Sequence, residues 1–292
     1  MYIVCVHQRR TQPRRWFVLR ASTPQVATDN LKVDTQPRRT SAARAVATQP
    51  CLVLPGLGNA ASDYAELLGL LPAGSLVVPV ARYDWFRNAR GLMLPAYWRG
   101  TLKPRQVMDW YFERLERTLL QLSYAFGDET GDWGVNLIGH SAGGWLARLY
   151  VSEFASDDLR KRVRTVVTLG TPNLAPPAGV FDQTRGILAY LETQYSWKHR
   201  QHSGVRYTCV GSKAVRGRLW SSNLEEMIAY ASYWPVCGRG RVAGDGIVPA
   251  CSSFMRGAQA ILLADARHSP LTDPKNWYGS PHHFECWASA LV

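Results

Sequence analysis

The residues best suited to chemistry lie in segment 136–146, where a serine stands between two glycines. Gly139, Ser141 and Gly143 form a G-x-S-x-G pattern, with an apolar strand-like run before it and an Ala/Leu-rich helical run after it. A strand entering a sharp turn and leaving as a helix is the context in which such a serine is exposed as a nucleophile. The pattern predicts Ser141 as the nucleophile. His140, inside the motif, is expected to be a packing residue that the turn directs away from the serine hydroxyl.

A serine nucleophile needs an imidazole to accept its proton and a carboxylate to orient that imidazole. After such a motif the acid is expected before the histidine in the chain. Asp245 lies in the glycine-flanked segment 244–249, and His268 follows the last predicted strand, at 260–264. We expect these two residues to be the acid and the base. The alternatives are the acids Asp265, Glu225 and Glu226 and the histidines His282 and His283.

Attack on a carbonyl group creates an oxyanion, which backbone N–H groups can stabilise. One donor is expected at Ala142, the residue that follows the serine. The other is expected at Leu57, in the flexible turn Gly56-Leu57-Gly58 after the first strand of the domain.

These residues must be positioned by an alternation of strands and helices that begins near residue 49. Apolar runs at 51–54, 75–80, 133–138, 163–169, 205–210 and 260–264 are typical of buried strands. Helical patterns separate most of them, so the sequence predicts an α/β fold with a mostly parallel central sheet and helices on both faces. We assign residues 49–292 to this domain, with a lid-like insertion at about 212–244. No apolar run reaches the roughly 18–20 residues that span a bilayer.

Residues 1–48 differ from the rest in charge. They hold nine arginines and lysines and two acids, which is +7 of the chain's net charge of +12. Scattered arginines among Ser, Thr, Gln and Ala are typical of organellar transit peptides. We predict a transit peptide or a disordered basic tail, with a plastid location and the mitochondrion as the alternative. Since most of the excess charge lies outside the domain, no nucleic-acid partner is expected.

The six cysteines show no metal-ligand spacing, and no metal or organic cofactor is implied. Cys237 and Cys251 flank the loop that contains Asp245. They could pair, although we expect both to be reduced.

At these motifs the chain resembles lipases and esterases of the α/β-hydrolase superfamily, from about residue 49 onward. The segments 52–56, 139–144 and 168–173 are similar to triacylglycerol lipases and glycosylphosphatidylinositol inositol-deacylases. The segments 210–215, 244–246 and 268–270 resemble plastid-type members of plants and algae. The chain departs from these relatives at Ala142, where many have methionine or glutamine, and at Asn173, which replaces a histidine common after Gly-Thr-Pro.

The resemblance implies a serine hydrolase that cleaves lipid or other acyl esters through Ser141, His268 and Asp245 and an acyl-enzyme. An acyltransferase with the same three residues and a non-catalytic binding protein of this fold are the alternatives. Two aromatic segments, 84–98 and 212–244, are expected to cover the site and to suit an apolar substrate or peripheral contact with an anionic membrane. The arginines around the first of them, which suit anionic head groups, are Arg82, Arg87, Arg90, Arg99 and Arg105.

Overall fold

Most of the chain is built around one sheet. A computed structural model describes residues 49–127, 133–195 and 204–292 and the backbones of two earlier strands. The strands are β1 (Tyr2–Val6), β2 (Arg15–Leu19), β3 (Cys51–Leu54), β4 (Leu76–Val77), β5 (Val135–His140), β6 (Val163–Leu169), β7 (Arg206–Ser212), β8 (Val215–Arg216), β9 (Ala243–Gly244) and β10 (Gln259–Leu263). The main sheet has the order β2-β1-β10-β7-β6-β5-β3-β4. All its neighbouring strands are parallel except β1 and β2, which confirms the predicted mostly parallel sheet.

Helices connect the parallel strands. They are α1 (Ala65–Leu70), α2 (Pro95–Arg99), α3 (Arg105–Phe126), α4 (Ala142–Leu149), α5 (Asp157–Arg162), α6 (Ile187–Gln194), α7 (Leu224–Cys237), α8 (Ala250–Ser253) and α9 (Pro281–Trp287). Short 3-10 stretches occupy Ala61–Tyr64, Arg82–Met93 and Ala288–Ala290, and a π-helical turn, Tyr150–Phe154, extends α4. The aromatic segment 84–98 is therefore mostly helical. Among the described helices, none is long and apolar enough to cross a membrane.

The two faces of the sheet carry separate apolar cores. Successive side chains of a strand point to opposite faces, so Leu52 and Leu54 join one core and Val53 joins the other. The first core is completed by residues of α3 and α4, and the second by residues of α1 and α9. All three side chains are fully buried, and each such side chain stabilises the fold by about 1.5–3 kcal/mol. The alternation explains why this four-residue strand reads as a continuous apolar run.

The two strands β1 and β2 extend the sheet beyond β10. Strand β1 pairs in parallel with β10, and β2 pairs with β1 in antiparallel fashion. These two strands were not predicted from the sequence. The remaining residues before 49 lie outside the described part of the chain, so the transit peptide or basic tail and the organellar location stay predictions.

A small two-stranded sheet closes the insertion at 212–244. Strand β8 pairs with β9 in antiparallel fashion, and α7, which we call the insertion helix, lies between them in the chain. The fully buried Tyr233 of this helix donates a hydrogen bond to Val215 O at 3.1 Å. This hydrogen bond joins the insertion helix to β8 within the insertion.

Candidate active site

Ser141 lies at the turn between β5 and α4, in a backbone conformation that few residues adopt. Its φ is 52° and its ψ is −121°, which costs on the order of 1–3 kcal/mol. The flanking glycines make the turn feasible. A Cβ on Gly139 would lie 2.4 Å from Gly144 Cα, and one on Gly143 would lie 2.1 Å from Leu54 O. Side chains at these positions would push strand and helix apart, as the G-x-S-x-G pattern predicts.

The structure brings the side chains of Ser141, His268 and Asp245 together. His268 Nε2 lies 3.0 Å from Ser141 Oγ, and His268 Nδ1 lies 2.8 Å from Asp245 Oδ2. A carboxylate can only accept, so Nδ1 carries the proton and Nε2 is free to accept from the serine hydroxyl. This arrangement can move a proton from Ser141 Oγ to the imidazole while Asp245 stabilises the imidazolium that forms.

Asp245 is buried and surrounded by donors. Besides His268, the Tyr278 hydroxyl donates to Oδ2 at 2.9 Å, and the N–H groups of Ile247 and Val248 donate to Oδ1 at 3.0 and 2.7 Å. Burial raises the pKa of the Asp245 carboxyl, but His268 and these hydrogen bonds outweigh it and hold the pKa below its ordinary value. The pKa of Tyr278 lies well above its ordinary value because of burial and the nearby carboxylate. The tyrosine therefore stays a donor and the aspartate stays ionised.

Gly170, at the end of β6, leaves room for the acid and the base. Its φ is 54°. A Cβ at this position would lie 2.6 Å from the Tyr278 ring, 2.7 Å from Asp245 Oδ2 and 3.2 Å from His268 Nδ1. Only glycine fits both the backbone conformation and the space.

A second hydrogen-bond chain runs behind the three side chains. Gly56 N–H donates to the Tyr64 hydroxyl at 2.9 Å, and that hydroxyl lies 2.8 Å from His140 Nδ1. His140 Nε2 lies 2.8 Å from the His268 carbonyl oxygen. Because a carbonyl oxygen can only accept, Nε2 carries the proton and Nδ1 accepts from Tyr64. Burial first, and then His268, lower the pKa of His140 to about 3, so this ring is neutral.

His140 therefore has a structural role, as a packing residue should, and its ring nitrogens bind groups other than the serine hydroxyl. The chain of bonds links the turn at Gly56 to the backbone of the residue that approaches the serine, His268.

The turn that holds the second predicted oxyanion donor lies against the serine. A Cβ on Gly56 would be 2.8 Å from Ser141 Cβ. Ala142 is the first residue of α4, so its N–H is one of the helix N-terminal donors that have no partner within the helix. The side chain of Leu57 is exposed. The roles of Ala142 and Leu57 as oxyanion donors stay predictions.

The rival acid and histidines form a cluster of their own. The buried His283 lies with Nε2 3.1 Å from Asp265 Oδ1 and with Nδ1 3.1 Å from Ser280 Oγ. The rings of His282 and His283 contact each other edge to face. Ligand atoms of Asp265, His282 and His283 lie within 4.8 Å of one another, so these residues could hold a metal ion. The other two rival acids are engaged elsewhere, Glu225 with Arg267 and Glu226 with Ser221.

Asn173, which departs from the resembling families, has a structural role. Its buried amide donates to Thr168 Oγ1 at 3.0 Å and to Ser253 O at 2.7 Å. The buried guanidinium of Arg148 donates to the backbone oxygen of Asn173 at 2.8 Å and to its side-chain Oδ1 at 3.1 Å. The residue thus ties the turn after β6 to α4 and α8.

Sequence reasoning missed three tyrosines of the site. Tyr278 binds the acid, Tyr64 links Gly56 to His140, and Tyr233 of the insertion helix accepts from Gly246 N–H at 2.9 Å. No local motif marks them, because each acts through a hydroxyl that reaches a distant segment.

Part of the chain matches a known protein family, and the chain is similar to several solved structures. Residues 110–221, which include the turn at Ser141, match the model of the PGAP1-like alpha/beta domain family. No curated protein sequence matches the chain. Among solved structures, the mature lipase BlEst2 of Bacillus licheniformis has a TM-score of 0.48 and 12% identity over 87% of this chain and 96% of its own. The metagenomic carboxyl esterase MGS0156 has a TM-score of 0.47 and 16% identity over 90% and 80%.

The product of the gene lin2722 of Listeria innocua has a TM-score of 0.42 and 16% identity, covering 81% of this chain and 91% of its own. The parallel sheet order, the strand–serine–helix turn and the match to the PGAP1-like domain together confirm the resemblance to the α/β-hydrolase superfamily.

Proposed function

We propose that the protein is a serine hydrolase that cleaves carboxylic esters of fatty or other apolar acyl groups. The observation that carries the proposal is the continuous line from Ser141 Oγ through His268 to Asp245, with contacts of 3.0 and 2.8 Å. A buried, ionised carboxylate beside a histidine and a serine in a strained turn are both features that cluster at functional sites.

The reaction would proceed in two steps. His268 Nε2 takes the proton of Ser141 as Oγ attacks the ester carbonyl, and the N–H groups of Ala142 and Leu57 donate to the oxyanion. The imidazolium then gives the proton to the leaving alcohol, and an acyl-serine remains. In the second step water loses a proton to His268 and attacks the acyl-serine, and the carboxylic acid leaves as Ser141 recovers its proton.

Apolar side chains around the three residues support an acyl substrate. Leu57 and Leu271 are exposed beside the predicted oxyanion turn and the histidine loop, and Ile247 is exposed two residues after the acid. The insertion and the segment at 82–98 add large exposed side chains, among them Phe86, Met93, Trp98, Trp220, Leu224, Ile228 and Trp234. We propose that these side chains form the surface that receives the acyl group, since exposed apolar patches mark sites for apolar ligands or membranes.

The arginines of the first aromatic segment divide into two groups. Arg82 pairs with Asp63, Arg87 pairs with Asp84, and the guanidinium of Arg105 lies over the Phe154 ring. Arg90 and Arg99 have no ion pair among the described residues, so they are the better candidates to contact anionic head groups. We expect stronger binding to vesicles that contain an anionic phospholipid than to neutral ones, and weaker binding in an Arg90→Ala, Arg99→Ala variant.

The central test is the variant Ser141→Ala, with the exposed Ser62→Ala as the matched control. We expect Ser141→Ala to lose at least about three orders of magnitude in kcat/KM on a series of p-nitrophenyl esters and to lose labelling by a fluorophosphonate. The control should keep both. Unchanged activity in Ser141→Ala would refute the assignment. Product analysis with an added alcohol would reveal an acyltransferase, and a wild-type protein that resists the fluorophosphonate would indicate a binding protein.

A further inference from the structure

Two cysteines lie where the insertion helix meets the segment that follows the acid. Cys237 is the last residue of α7, and Cys251 is the second residue of α8, six positions after Asp245. The two helices contact each other, and the two thiols lie within hydrogen-bonding reach of one another. Both side chains are partly exposed, in contrast to the buried Cys51, Cys209 and Cys286. A reagent from solution can therefore reach this pair.

The surroundings make the two thiols unequal. The Cys237 sulfur lies 3.3 Å from Arg239 O, which is a second acceptor, besides Cys251, for its single S–H. The hydrogen bond from Cys237 lowers the pKa of Cys251, and the positive charge of Arg239 also lowers it, while burial opposes both. The hydrogen bond to Cys251, together with burial, raises the pKa of Cys237. Cys251 is therefore the more readily deprotonated of the two and the better nucleophile, and Cys237 is the thiol beside it.

We propose that Cys237 and Cys251 form a redox-active dithiol. Thiol–disulfide exchange converts it to a disulfide bond, which joins the insertion helix to the segment that follows Asp245. The Cys251 thiolate attacks one sulfur of a small disulfide such as oxidised glutathione, and one glutathione thiolate leaves. Cys237 then loses its proton to solvent and attacks the Cys251 sulfur, and the second glutathione leaves. Two protein thiols are oxidised, and one glutathione disulfide is reduced to two thiols.

A disulfide between Cys237 and Cys251 would affect how the insertion helix is held. Tyr233 lies one turn before Cys237 on the same helix, and its hydroxyl already accepts from Gly246 N–H, next to the acid. A disulfide at Cys237 would add a covalent link beside this hydrogen bond. Since Asn173 binds the backbone of α8 through Ser252 O and Ser253 O, the link would reach a segment that is itself fixed to the core. Oxidation would thus restrict the opening of the insertion.

The test uses the purified full-length chain, equilibrated without oxygen in mixtures of reduced and oxidised glutathione. The sample is quenched with acid, blocked with N-ethylmaleimide and mapped by peptide mass spectrometry. We expect a cross-linked Cys237–Cys251 peptide that increases with the fraction of oxidised glutathione. Hydrogen exchange in 224–237 should slow in the oxidised form. The proposal would be overturned if both cysteines still carried maleimide at the most oxidising mixture, or if the reaction stopped at a Cys251–glutathione adduct. Unchanged hydrogen exchange in the cross-linked protein would also overturn it.

Variants separate this inference from the proposed function. Cys237→Ser should stop at the Cys251–glutathione adduct, and Cys286→Ser, a control outside the pair, should form the bond as the wild type does. Ser141→Ala should also form it, because the exchange does not involve the serine. Iodoacetamide at pH 7 should modify Cys251 several-fold faster than Cys237, which has comparable exposure, and equal rates would contradict the lowered pKa of Cys251.

Discussion

Replacing Tyr64 by phenylalanine tests the hydrogen-bond chain behind the proposed catalytic residues. The hydroxyl serves two buried groups, since it accepts from Gly56 N–H and donates to His140 Nδ1. Phenylalanine fills nearly the same space, so the change leaves the packing of the second core in place. Each buried group left without a partner costs about 1–3 kcal/mol. We therefore expect the free energy of unfolding to fall by about 2–6 kcal/mol.

The same variant should affect the reaction through the turn that it anchors. Gly56 precedes the predicted donor Leu57, and a loosened turn weakens the oxyanion hydrogen bond. Removing such a donor outright costs about 10²–10³ in kcat, so we expect a smaller loss in Tyr64→Phe, of about tenfold, with KM little changed. Urea denaturation and steady-state kinetics on a p-nitrophenyl ester measure the two effects.

Tyr124→Phe is the matched control, because this side chain on α3 is 88% exposed. It should match the wild type in both measurements. A Tyr64→Phe protein within about 0.5 kcal/mol of the wild type, the range of neutral surface changes, would refute the reasoning.

Three further predictions concern the acid, the glycine beside it and the buried histidine. Asp245→Asn should lower kcat by about 10⁴, because an amide favours the wrong tautomer of His268; a loss below tenfold in ester hydrolysis would contradict the role of the acid. Gly170→Ala should abolish activity and lower the melting temperature, since its Cβ would press on Asp245 Oδ2; a soluble, fully active variant would disprove the close contact. His140 has a pKa of about 3 when folded and an ordinary value of 6.5, so the unfolded chain binds the extra proton. The contribution of neutral His140 to the free energy of unfolding is complete above pH 6.5. It should fall by about 1.4 kcal/mol per pH unit as the pH drops towards 3. Urea denaturation at several pH values gives the free energy of unfolding against pH, and this dependence should be weaker in His140→Gln than in the wild type. An equal dependence would contradict the assigned role of His140.

The sequence predicted best those parts that depend on neighbouring residues. Strands β3 and β6 have the bounds expected from their apolar runs, because all but one of their residues are buried. The turn at Ser141 was recognisable because Gly139, Ser141 and Gly143 stand within five residues of one another, between an apolar strand pattern and a helical one. By contrast, only two residues of the expected strand at 75–80 form β4, and α5 was missed because its six residues are mostly charged.

Contacts between distant segments could not be predicted in this way. Asp245 and His268 were selected by their order in the chain, and the structure places them 2.8 Å apart. The hydroxyls of Tyr64 and Tyr278 approach partners 76 and 33 residues away. Nothing in the local pattern distinguishes these two from the other eleven tyrosines of the chain. Their positions depend on how the sheet brings its strand ends together.

The hydrogen bond between Tyr233 and Gly246 N–H matters for anyone who would exchange the insertion for that of another hydrolase. Such a graft is usually designed to alter which substrates are accepted while the reaction centre is left as it was. In this protein the transplanted segment would also remove one of the supports of the aspartate loop. A chimera would have to supply an equivalent hydroxyl, or its altered turnover would be mistaken for a change in specificity.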